Sequence, residues 1–385
     1  MPNMSSRTKA IPLSGIREMM DLALATPGVL RLEIGDPDFR TPDAITAAAC
    51  AWAAENRMSY PPNSGLPELR AAAARKVSRV NGFACEAANV NVTIGATGAL
   101  YLALLAAIEP GDEVLVPDPG WAGYPAMVAL AGGVFKAYPL RAENGFRLDF
   151  DDVAPLVGPR TRAIIVNSPS NPTGAVNDAA ELRKLIAHAD RHGVWVIADE
   201  CYDEVVFDGT SACVGTLAPL EGSPVLSAFS LSKTYAMTGW RVGYLVAPKD
   251  ISAQVTRMQA ASVASAAVIA QRAALAALEG PQDASAAMIV AYRRRRDVAT
   301  ALLDAAAIPY IRPQGAMYVF VDIRAAGLSS RDFALTLLRE KAVCTTPGDA
   351  FGTNGEGFVR VSLACADADL AEGLSRLGQF VAARR

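Results

Sequence analysis

The amino-acid sequence predicts an α/β fold with a mostly parallel sheet, followed by a smaller α+β domain. Short apolar runs recur through the middle of the chain, and amphipathic or alanine-rich stretches separate them. After about residue 275 this alternation gives way to a long helical pattern and two further strand-like runs. Continuous apolar strands joined by helical crossovers are typical of parallel sheets that are buried on both faces.

Six apolar runs are predicted to form the strands of the large sheet. They lie at residues 90–94, 113–116, 163–167, 194–198, 225–229 and 242–246, with predicted helices at 99–108 and 179–192. Residues 315–322 and 358–363 are the strand-like runs of the last third. We expect an N-terminal arm over residues 1–34 that packs on the small domain or on a partner subunit, a large domain over 35–275 and a small domain over 276–385.

Composition and charge exclude several classes of function. Hydrophobic residues make up 51% and charged residues 19% of the chain, which is typical of a globular protein. A formal net charge of −3 argues against binding to nucleic acid or to anionic membranes. The sequence has no apolar run of membrane-spanning length and no apolar signal core near its start, so we expect a cytoplasmic protein.

The cysteine, histidine and arginine patterns favour structural roles. The six cysteines lack C-x-x-C spacing and are expected to be reduced packing residues. His188 and His192 are four residues apart, but no carboxylate motif accompanies them, so we expect no metal site. The basic run from Arg293 to Arg296 lies in a helical pattern and is expected to form a solvated helix face.

Polar residues cluster where four of the predicted strands end. The clusters lie at residues 95–97, 167–174, 199–202 and 230–233. In an open parallel sheet, ligands bind beyond the carboxyl ends of the strands. The four clusters are therefore expected to converge on one crevice, which would be the ligand-binding site.

Lys233 lies in SLSKTYAMTGWRVGY, among residues that suit a phosphate. Ser230, Ser232 and Arg241 supply neutral donors and a planar guanidinium fork. The turn from Gly95 to Gly98 opens a predicted helix whose N-terminus favours an anion. A lysine at the mouth of a sheet can form an imine with an aldehyde, although a single lysine is by default a surface residue. Together these residues predict a cofactor that carries an aldehyde and a phosphate.

Asp199 follows the apolar run VWVIA, where a carboxylate is costly unless it is paired. A protonated pyridine nitrogen would pair with it and keep the ring able to accept electrons, whereas the alternative role is a helix N-cap. Tyr202 and Asn171 could each bond a ring oxygen, and Trp121 could stack on the ring or simply pack in the core. These features indicate pyridoxal 5'-phosphate.

The chain resembles the class I and II aminotransferases of the fold-type I superfamily of pyridoxal-phosphate enzymes, within the broad aspartate aminotransferase group. The matching blocks stand in order over nearly the whole chain: GDPDFRTP (35–42), YPPNSGLPELR (60–70), GATGAL (95–100), PGDEVLVPDPGW (110–121), NSPSNPTG (167–174), DECYDE (199–204), SLSKTYAMTGWRVGY (230–244), PQGAMYVF (313–320) and PGDAFG with GFVRVSLA (347–364). Several independent motifs in register make a chance match negligible.

The resemblance implies a role in cofactor binding for most matching positions. Lys233 would be the Schiff-base lysine and the proton shuttle, and Asp199 would pair with the pyridine nitrogen. Tyr202 and Asn171 would bond the 3'-oxygen, and Trp121 would stack on the ring. The phosphate would be held by Ala96, Thr97, Ser230, Ser232 and Arg241.

The same resemblance implies the substrate and subunit contacts. Arg360 would clamp the α-carboxylate of the substrate, helped by Asn171 and the backbone of Gly35. Tyr60 would reach the phosphate in the neighbouring subunit's site, which requires a homodimer with shared active sites. One position departs from some aspartate-specific relatives, which carry a lysine where this chain has Thr97. We therefore expect a neutral side chain in the preferred substrate, with Arg17 or Arg40 as the residues that could instead recognise an acidic group.

The resemblance implies transamination between a small amino acid and a 2-oxo acid. The alternative is a pyridoxal-phosphate enzyme that performs elimination, replacement, decarboxylation or cyclisation, because relatives on this scaffold use the same lysine, aspartate and arginine. A regulator that carries a DNA-binding domain ahead of the scaffold is disfavoured, since the first matching block begins at residue 35.

Overall fold

The computed structural model describes residues 15–209 and 212–385, together with residues 3, 5, 9 and 11. The helices and strands in chain order are α1 (Gly15–Ala25), β1 (Leu30–Arg31), α2 (Asp43–Glu55), α3 (Pro67–Lys76), β2 (Val90–Thr93), α4 (Gly95–Ala107), β3 (Glu113–Asp118), α5 (Gly123–Leu130), β4 (Val134–Pro139), α6 (Phe150–Val153), β5 (Thr161–Asn167), α7 (Ala179–Arg191), β6 (Trp195–Asp199), β7 (Val225–Ser230), β8 (Gly243–Val246), α8 (Lys249–Ser262), α9 (Val268–Glu279), α10 (Asp283–Ala305), β9 (Tyr310–Ile311), β10 (Tyr318–Asp322), α11 (Ser330–Lys341), β11 (Val343–Cys344), β12 (Thr346–Pro347), β13 (Phe358–Ser362) and α12 (Asp367–Ala382). Among these helices, none has both the length and the apolar character needed to cross a membrane.

The large sheet has the strand order β2-β8-β7-β6-β5-β3-β4. Strand β8 is antiparallel to both of its neighbours, and the other pairings are parallel. Both faces of the sheet are buried, since Ile164 packs in the cluster that contains Leu182 and Leu185 of α7, whereas Ile165 packs with Leu100 of α4. Burial on two faces explains why these strands are continuous apolar runs. The predicted α/β class is confirmed.

All six predicted strands of this sheet are present, within two residues of the expected ends. The sequence did not reveal β4, an edge strand that carries Lys136 and whose first four residues are exposed. An edge strand that is partly solvated lacks the continuous apolar run that identifies a buried one. Helix α4 begins at Gly95, four residues before the predicted start, because residues 95–98 form its first turn.

The smaller sheet is antiparallel, with the order β12-β13-β10-β9. Its register pairs Phe320 with Arg360, so Arg360 lies in the middle of a buried strand. Strand β1 pairs in parallel with β11, and Met19 and Ala23 of α1 pack against residues of α11 and β11. The division into segments 1–34, 35–275 and 276–385 stays a prediction, and the two larger sheets lie within its second and third segments.

The expectation of a solvated basic face at Arg293 to Arg296 is wrong for two of its four residues. Arg295 and Arg296 are 6% and 3% exposed. Arg295 pairs with Asp38 and Asp367, and Arg296 pairs with Asp208. Buried arginines are tolerated when carboxylates accept their protons, and these partners come from distant parts of the chain that a helical pattern cannot reveal.

Candidate active site

The carboxyl edge of the large sheet borders a cavity of about 350 Å³. Nearly all of the expected site residues line it: Gly35, Ala96, Thr97, Trp121, Asn171, Asp199, Tyr202, Ser230, Ser232, Lys233, Arg241 and Arg360. Tyr60 does not line the cavity, and it is 93% exposed. The polar clusters at the strand ends therefore meet at one crevice, as the strand-end argument predicts.

The direction of β8 explains how Arg241 reaches this edge. Parallel strands present their carboxyl ends together, and their last residues here are Asn167 in β5, Asp199 in β6 and Ser230 in β7. Because β8 runs in the opposite direction, its amino end lies at the same edge, and Arg241 stands just before it. One antiparallel strand thus brings a cation to the point where the other strands end.

Lys233 lies in the turn that follows β7. Its ammonium group donates a hydrogen bond of 2.6 Å to the carbonyl oxygen of Gly35. The amine therefore contacts the backbone of the segment that follows β1, and both residues line the cavity. This contact links the large sheet to the N-terminal part of the chain at the centre of the site.

On one side of the cavity, two glycines allow the backbone to pass close to Arg241 and to the start of α4. Gly95 has a φ of +66°, and a Cβ built on it would lie 2.9 Å from Nη2 of Arg241. A Cβ on Gly243 would lie 2.8 Å from the backbone nitrogen of Ala96. Glycine is required where the backbone adopts a left-handed conformation or approaches another group closely. The first turn of α4, the buried Ser230 and the guanidinium of Arg241 all line the cavity, and helix N-termini and guanidinium groups are suited to bind an anion.

Asp199 is 5% exposed, at the end of β6. It accepts hydrogen bonds from the Tyr124 hydroxyl at 2.8 Å and from the backbone nitrogen of Cys201 at 3.1 Å. Burial raises the pKa of the Asp199 carboxyl, and the bonds from Cys201 and Tyr124 act in the opposite direction. A turn rather than a helix follows Asp199, so the N-cap alternative is wrong. A cation at this carboxylate would offset the cost of its burial.

Three side chains connect Asp199 to the far side of the cavity. Asn167 lies beside Asp199 in the sheet register and donates to its carbonyl oxygen at 2.9 Å. The side-chain oxygen of Asn167 accepts from the backbone nitrogen of Asn171 at 2.8 Å. The side-chain oxygen of Asn171 in turn accepts from Arg360 at 2.9 Å. This arrangement fixes the position of Asn171 and orients the guanidinium of Arg360.

Arg360 is 2% exposed, and burial lowers its pKa. Its guanidinium also donates to the Glu33 carbonyl oxygen and lies 4.3 Å from the centre of the Tyr318 ring. Within the described residues, Nε of Arg360 has no hydrogen-bond partner. Among the residues that the structure describes, no carboxylate contacts this buried guanidinium, which borders the cavity and is suited to bind a carboxylate that enters from outside.

Two tyrosines meet near Arg360. The hydroxyl oxygens of Tyr202 and Tyr318 are 2.9 Å apart, and both side chains are buried. A Cβ built on Gly35 would lie 1.9 Å from the Tyr318 hydroxyl oxygen, so only glycine fits there. Trp121 packs edge-on against Tyr124, with ring centres 5.3 Å apart.

Sequence reasoning assigned no role to Tyr124 or Tyr318, and it did not single out Leu100 or Asn167 as site residues. Tyr124 lies three residues after Trp121, and Tyr318 lies inside GAMYVF, but neither position carries a chemical signal of its own. Their partners are Asp199 and Tyr202, which are 75 and 116 residues away in the chain. Only the fold brings these groups together.

Comparison with known proteins gives matches over nearly the whole chain. A family model described as aminotransferase class I and II matches residues 27–377. The chain is 36% identical to aromatic-amino-acid aminotransferase 2 of Thermococcus litoralis, with 97% of each chain covered. It is 39% identical to the arginine–pyruvate transaminase AruH of Pseudomonas aeruginosa, over 91% of this chain and 89% of that relative.

Solved structures agree with this assignment. The structure of aspartate aminotransferase from Thermus thermophilus with maleate superimposes with a TM-score of 0.93. The two sequences are 36% identical, and the match covers 99% of this chain and all of the other. A Pyrococcus protein matches with a TM-score of 0.95 at 35% identity, over 98% of each chain.

Proposed function

The chain belongs to the class I and II aminotransferases and is a transaminase, and we propose that it uses pyridoxal 5'-phosphate, held by Lys233, on amino acids with neutral side chains. The observation that carries this proposal is the meeting of an amine, a buried carboxylate and a buried guanidinium around one cavity, in Lys233, Asp199 and Arg360. The amine would react with the cofactor's aldehyde, the carboxylate would pair with its ring nitrogen, and the guanidinium would bind the substrate's carboxylate.

The residues present fit this cofactor. The backbone of Ala96 and Thr97 at the start of α4, with Ser230, Ser232 and Arg241, would hold its phosphate. A side chain at Gly95 would crowd the guanidinium of Arg241. Because Gly95 has none, the guanidinium and the backbone at the start of α4 can approach the same anion closely. Helix N-termini and guanidinium groups both favour phosphate oxygens.

The other end of the cofactor would lie at Asp199. Its carboxylate would pair with the protonated ring nitrogen, which would offset the desolvation that now raises its pKa. Tyr202 and Asn171 would bond the 3'-oxygen, and Trp121 would stack on the ring. When bound, this ring supplies an electron sink for negative charge at the substrate's α-carbon.

The protein's own groups would then bind the substrate and move its proton. Arg360 would bind the α-carboxylate through two parallel hydrogen bonds, with Asn171 and the backbone of Gly35 completing the contact. Lys233 would remove the α-proton and return it, since its amine lies 2.6 Å from the Gly35 carbonyl that borders the substrate space. Exchange with a 2-oxo acid would complete the transfer.

A spectral half-reaction assay tests this proposal. An amino acid should abolish the visible absorbance band of the purified enzyme, and a 2-oxo acid should restore it. Borohydride should fix the cofactor on Lys233, and Lys233→Ala should lose turnover, whereas the exposed Lys249→Ala should behave like the wild type. Attachment to another lysine, or release of ammonia or carbon dioxide without any acceptor, would count against the assignment.

The lining of the cavity supports a neutral substrate. Ile16, Ile34 and Leu100 contribute apolar walls, and Thr97 stands where some aspartate-specific relatives carry lysine. The cations of the lining are Lys233, Arg241 and Arg360, which already have roles. The relatives named above act on aromatic amino acids, arginine or aspartate by their names, so the names alone do not select one class.

Substrate preference can be measured as kcat/KM for alanine, leucine, methionine, phenylalanine, aspartate and glutamate. We expect the neutral donors to be favoured, because an unpaired carboxylate carries a heavy desolvation cost. Thr97→Lys should raise the value for aspartate relative to leucine by roughly tenfold or more. A dicarboxylate preference in the wild type that disappears in Arg40→Ala would overturn the neutral pocket.

We also infer a cytoplasmic homodimer with shared sites. The free state of all six cysteines supports a reducing compartment. The 93% exposure of Tyr60, a position implied to reach a neighbouring site, supports the dimer. An aromatic side chain that is almost fully exposed in one chain is suited to be covered by another.

A further inference from the structure

Two buried phenols form a pair at the edge of the cavity. The hydroxyl oxygens of Tyr202 and Tyr318 are 2.9 Å apart, and either can be the donor. Their rings meet edge to face, with centres 5.9 Å apart and an angle of 79°. Tyr202 is 5% and Tyr318 is 2% exposed. Water therefore has little access, and the two hydroxyls are each other's nearest partners.

Neighbours on three sides fix the position of Tyr318. Its backbone pairs with Ser362 in the register of β10 and β13. The guanidinium of Arg360 lies over its ring at 4.3 Å. The absence of a side chain at Gly35 leaves the space that the Tyr318 hydroxyl occupies, since a Cβ there would lie 1.9 Å from it. The hydroxyl is thus held in place before any ligand binds.

The number of protons on the two hydroxyls determines which hydroxyl donates the hydrogen bond between them. Burial and the neighbouring Tyr318 raise the pKa of the Tyr202 phenol, with a smaller opposite effect from Arg360, so Tyr202 stays neutral and has one proton to donate. When that proton goes to a ligand, the oxygen of Tyr202 is left as an acceptor. The Tyr318 hydroxyl, at hydrogen-bond distance, is placed to donate to it.

We propose that Tyr318 is a positioning residue whose hydroxyl donates to Tyr202 and thereby directs the proton of Tyr202 to the 3'-oxygen of the bound cofactor. The inference rests on the proposed function, since the acceptor belongs to pyridoxal 5'-phosphate. Donors in series polarise one another, so the second hydroxyl strengthens the first bond. A stronger bond to the 3'-oxygen would lower the basicity of that oxygen, and with it the pH at which the cofactor held by Lys233 titrates.

The test is a pH titration of the visible absorbance band of the holoenzyme. Tyr318→Phe keeps the ring and removes only the hydroxyl, and we expect the midpoint to rise by roughly 0.1–0.5 pH unit, from a cooperative strengthening of about 10–30% per bond. Tyr292→Phe is the matched control, because Tyr292 lies in the same buried cluster and its hydroxyl has no partner among the described residues. This control should titrate like the wild type.

A double substitution separates positioning from packing. In a Tyr202→Phe background, Tyr318→Phe should add no further shift, because its effect passes through the Tyr202 oxygen. Gly35→Ala provides a second route, since the new methyl group must displace the Tyr318 hydroxyl and should move the midpoint in the same direction. Wild-type midpoints in both Tyr318→Phe and Gly35→Ala, or equal shifts with and without Tyr202, overturn the inference.

These outcomes are distinct from failure of the proposed function. If no visible band forms with pyridoxal 5'-phosphate, or if the band does not depend on Lys233, the proposed function is wrong. If the band forms at Lys233 and the Tyr318→Phe variant only melts at a lower temperature, with an unchanged titration, Tyr318 has a packing role alone and the inference is wrong.

Discussion

Arg241 and Arg360 line the same cavity but stand in different surroundings. Arg241 is exposed, has a φ of 53° and bonds the carbonyl oxygen of Thr238 at 2.9 Å, next to the start of α4. Arg360 is buried in a strand and contacts Asn171. These surroundings support our proposal that the first arginine binds the cofactor's phosphate and the second binds the substrate's carboxylate.

Substitution of each arginine should therefore have a different effect. Arg241→Ala should weaken cofactor affinity, whereas Arg360→Ala should leave the cofactor spectrum intact and lower kcat/KM by roughly 30- to 4,000-fold, from a cost of about 2–5 kcal/mol for losing one partner of a buried charge pair. Cofactor titration and steady-state kinetics distinguish the two. Arg160→Ala, at an exposed ion pair, is the control. Equal loss of cofactor in both variants would contradict the assignment.

Glu200 provides a pH-dependent feature next to Asp199. Burial raises the pKa of the Glu200 carboxyl to about 8, while bonds from the Cys213 thiol at 3.2 Å and the backbone nitrogen of Val214 at 2.7 Å act in the opposite direction. A carboxyl whose folded pKa lies above its unfolded value of about 4.3 stabilises the fold fully below pH 4. That contribution to the free energy of unfolding is lost as the pH rises from about 4 to about 8.

The Glu200→Gln variant should not lose this stability, because the amide has nearly the shape of the carboxyl and stays neutral as the pH rises. We expect the free energy of unfolding of the wild type to fall relative to the variant between pH 5 and 8, by an amount on the order of a few kcal/mol. Denaturant unfolding of the apoprotein across that range measures the difference. Glu86→Gln, at an exposed pair, should follow the wild type. Parallel pH profiles for wild type and Glu200→Gln would show that the carboxyl is ionised in the fold.

Sequence reasoning was most successful for residues that have local signals. Asp199 ends an apolar strand, Lys233 lies three residues after one and Gly95 opens a helix, so both position and chemistry can be deduced from neighbours. Tyr318 and Arg295 have no such signal, because their partners are far away in the chain. A contact that depends on two distant segments cannot be deduced from the pattern of either one.

At the scale of elements, Arg295 ties α10 to the segment that follows β1. Its guanidinium forms two bonds to Asp38, at 2.7 and 2.8 Å, and one to Asp367 at 2.8 Å. It also lies 5.0 Å from the centre of the Phe39 ring. Asp38 stands three residues after Gly35, whose carbonyl accepts from Lys233. The tie therefore holds the backbone that borders the substrate space.

Arg295→Met should weaken this tie and affect both stability and substrate binding. We expect a loss of about 2 kcal/mol in the free energy of unfolding, between the values for surface and buried pairs, because Asp38 and Asp367 are partly exposed. KM for the amino acid should rise with little change in the cofactor spectrum. Arg294→Met is the matched control, since Arg294 also pairs with Asp367 but is exposed. Equal effects of the two substitutions would refute the special role of Arg295.

The large sheet shows which strands can be predicted from the sequence and which cannot. The buried strands of the large sheet were predictable because both of their faces are covered, whereas β4 was not, since its exposed face interrupts the apolar run. The reversed direction of β8 also has no signature in the run itself, because an antiparallel strand buried on both faces has the same composition as a parallel one.

For the whole molecule, the prediction with the widest consequence is the shared-site homodimer. Tyr60 does not line the cavity of its own chain, and Met58 nearby is 51% exposed. Two impaired variants, Tyr60→Phe with low activity and Lys233→Ala with none, should regain activity when mixed, because each hybrid dimer contains one intact site. Random pairing at equal amounts gives about a quarter of the wild-type sites in a two-fold dimer.

Sedimentation at the assay concentration is the companion measurement. A fully active monomer, or mixing that only averages the two parent activities, would contradict the shared site. Lys249→Ala mixed with Lys233→Ala serves as the control, since Lys249 is an exposed residue that pairs with Glu86. That mixture reports the activity expected when no residue is exchanged between sites.

The antiparallel direction of β8 also affects which parts of the chain can be altered to change substrate selectivity. The segment from Ser230 to Gly243 carries both the amine of Lys233 and the cation of Arg241, so one short stretch of chain would set the spacing between the groups proposed for the cofactor's aldehyde and its phosphate. Of the groups proposed for the substrate, Gly35 and Arg360 come from the two outer parts of the sequence, whereas Asn171 lies between β5 and α7. Substitutions near Gly35 or Arg360 are therefore expected to alter substrate selectivity without changing the stretch from Ser230 to Gly243.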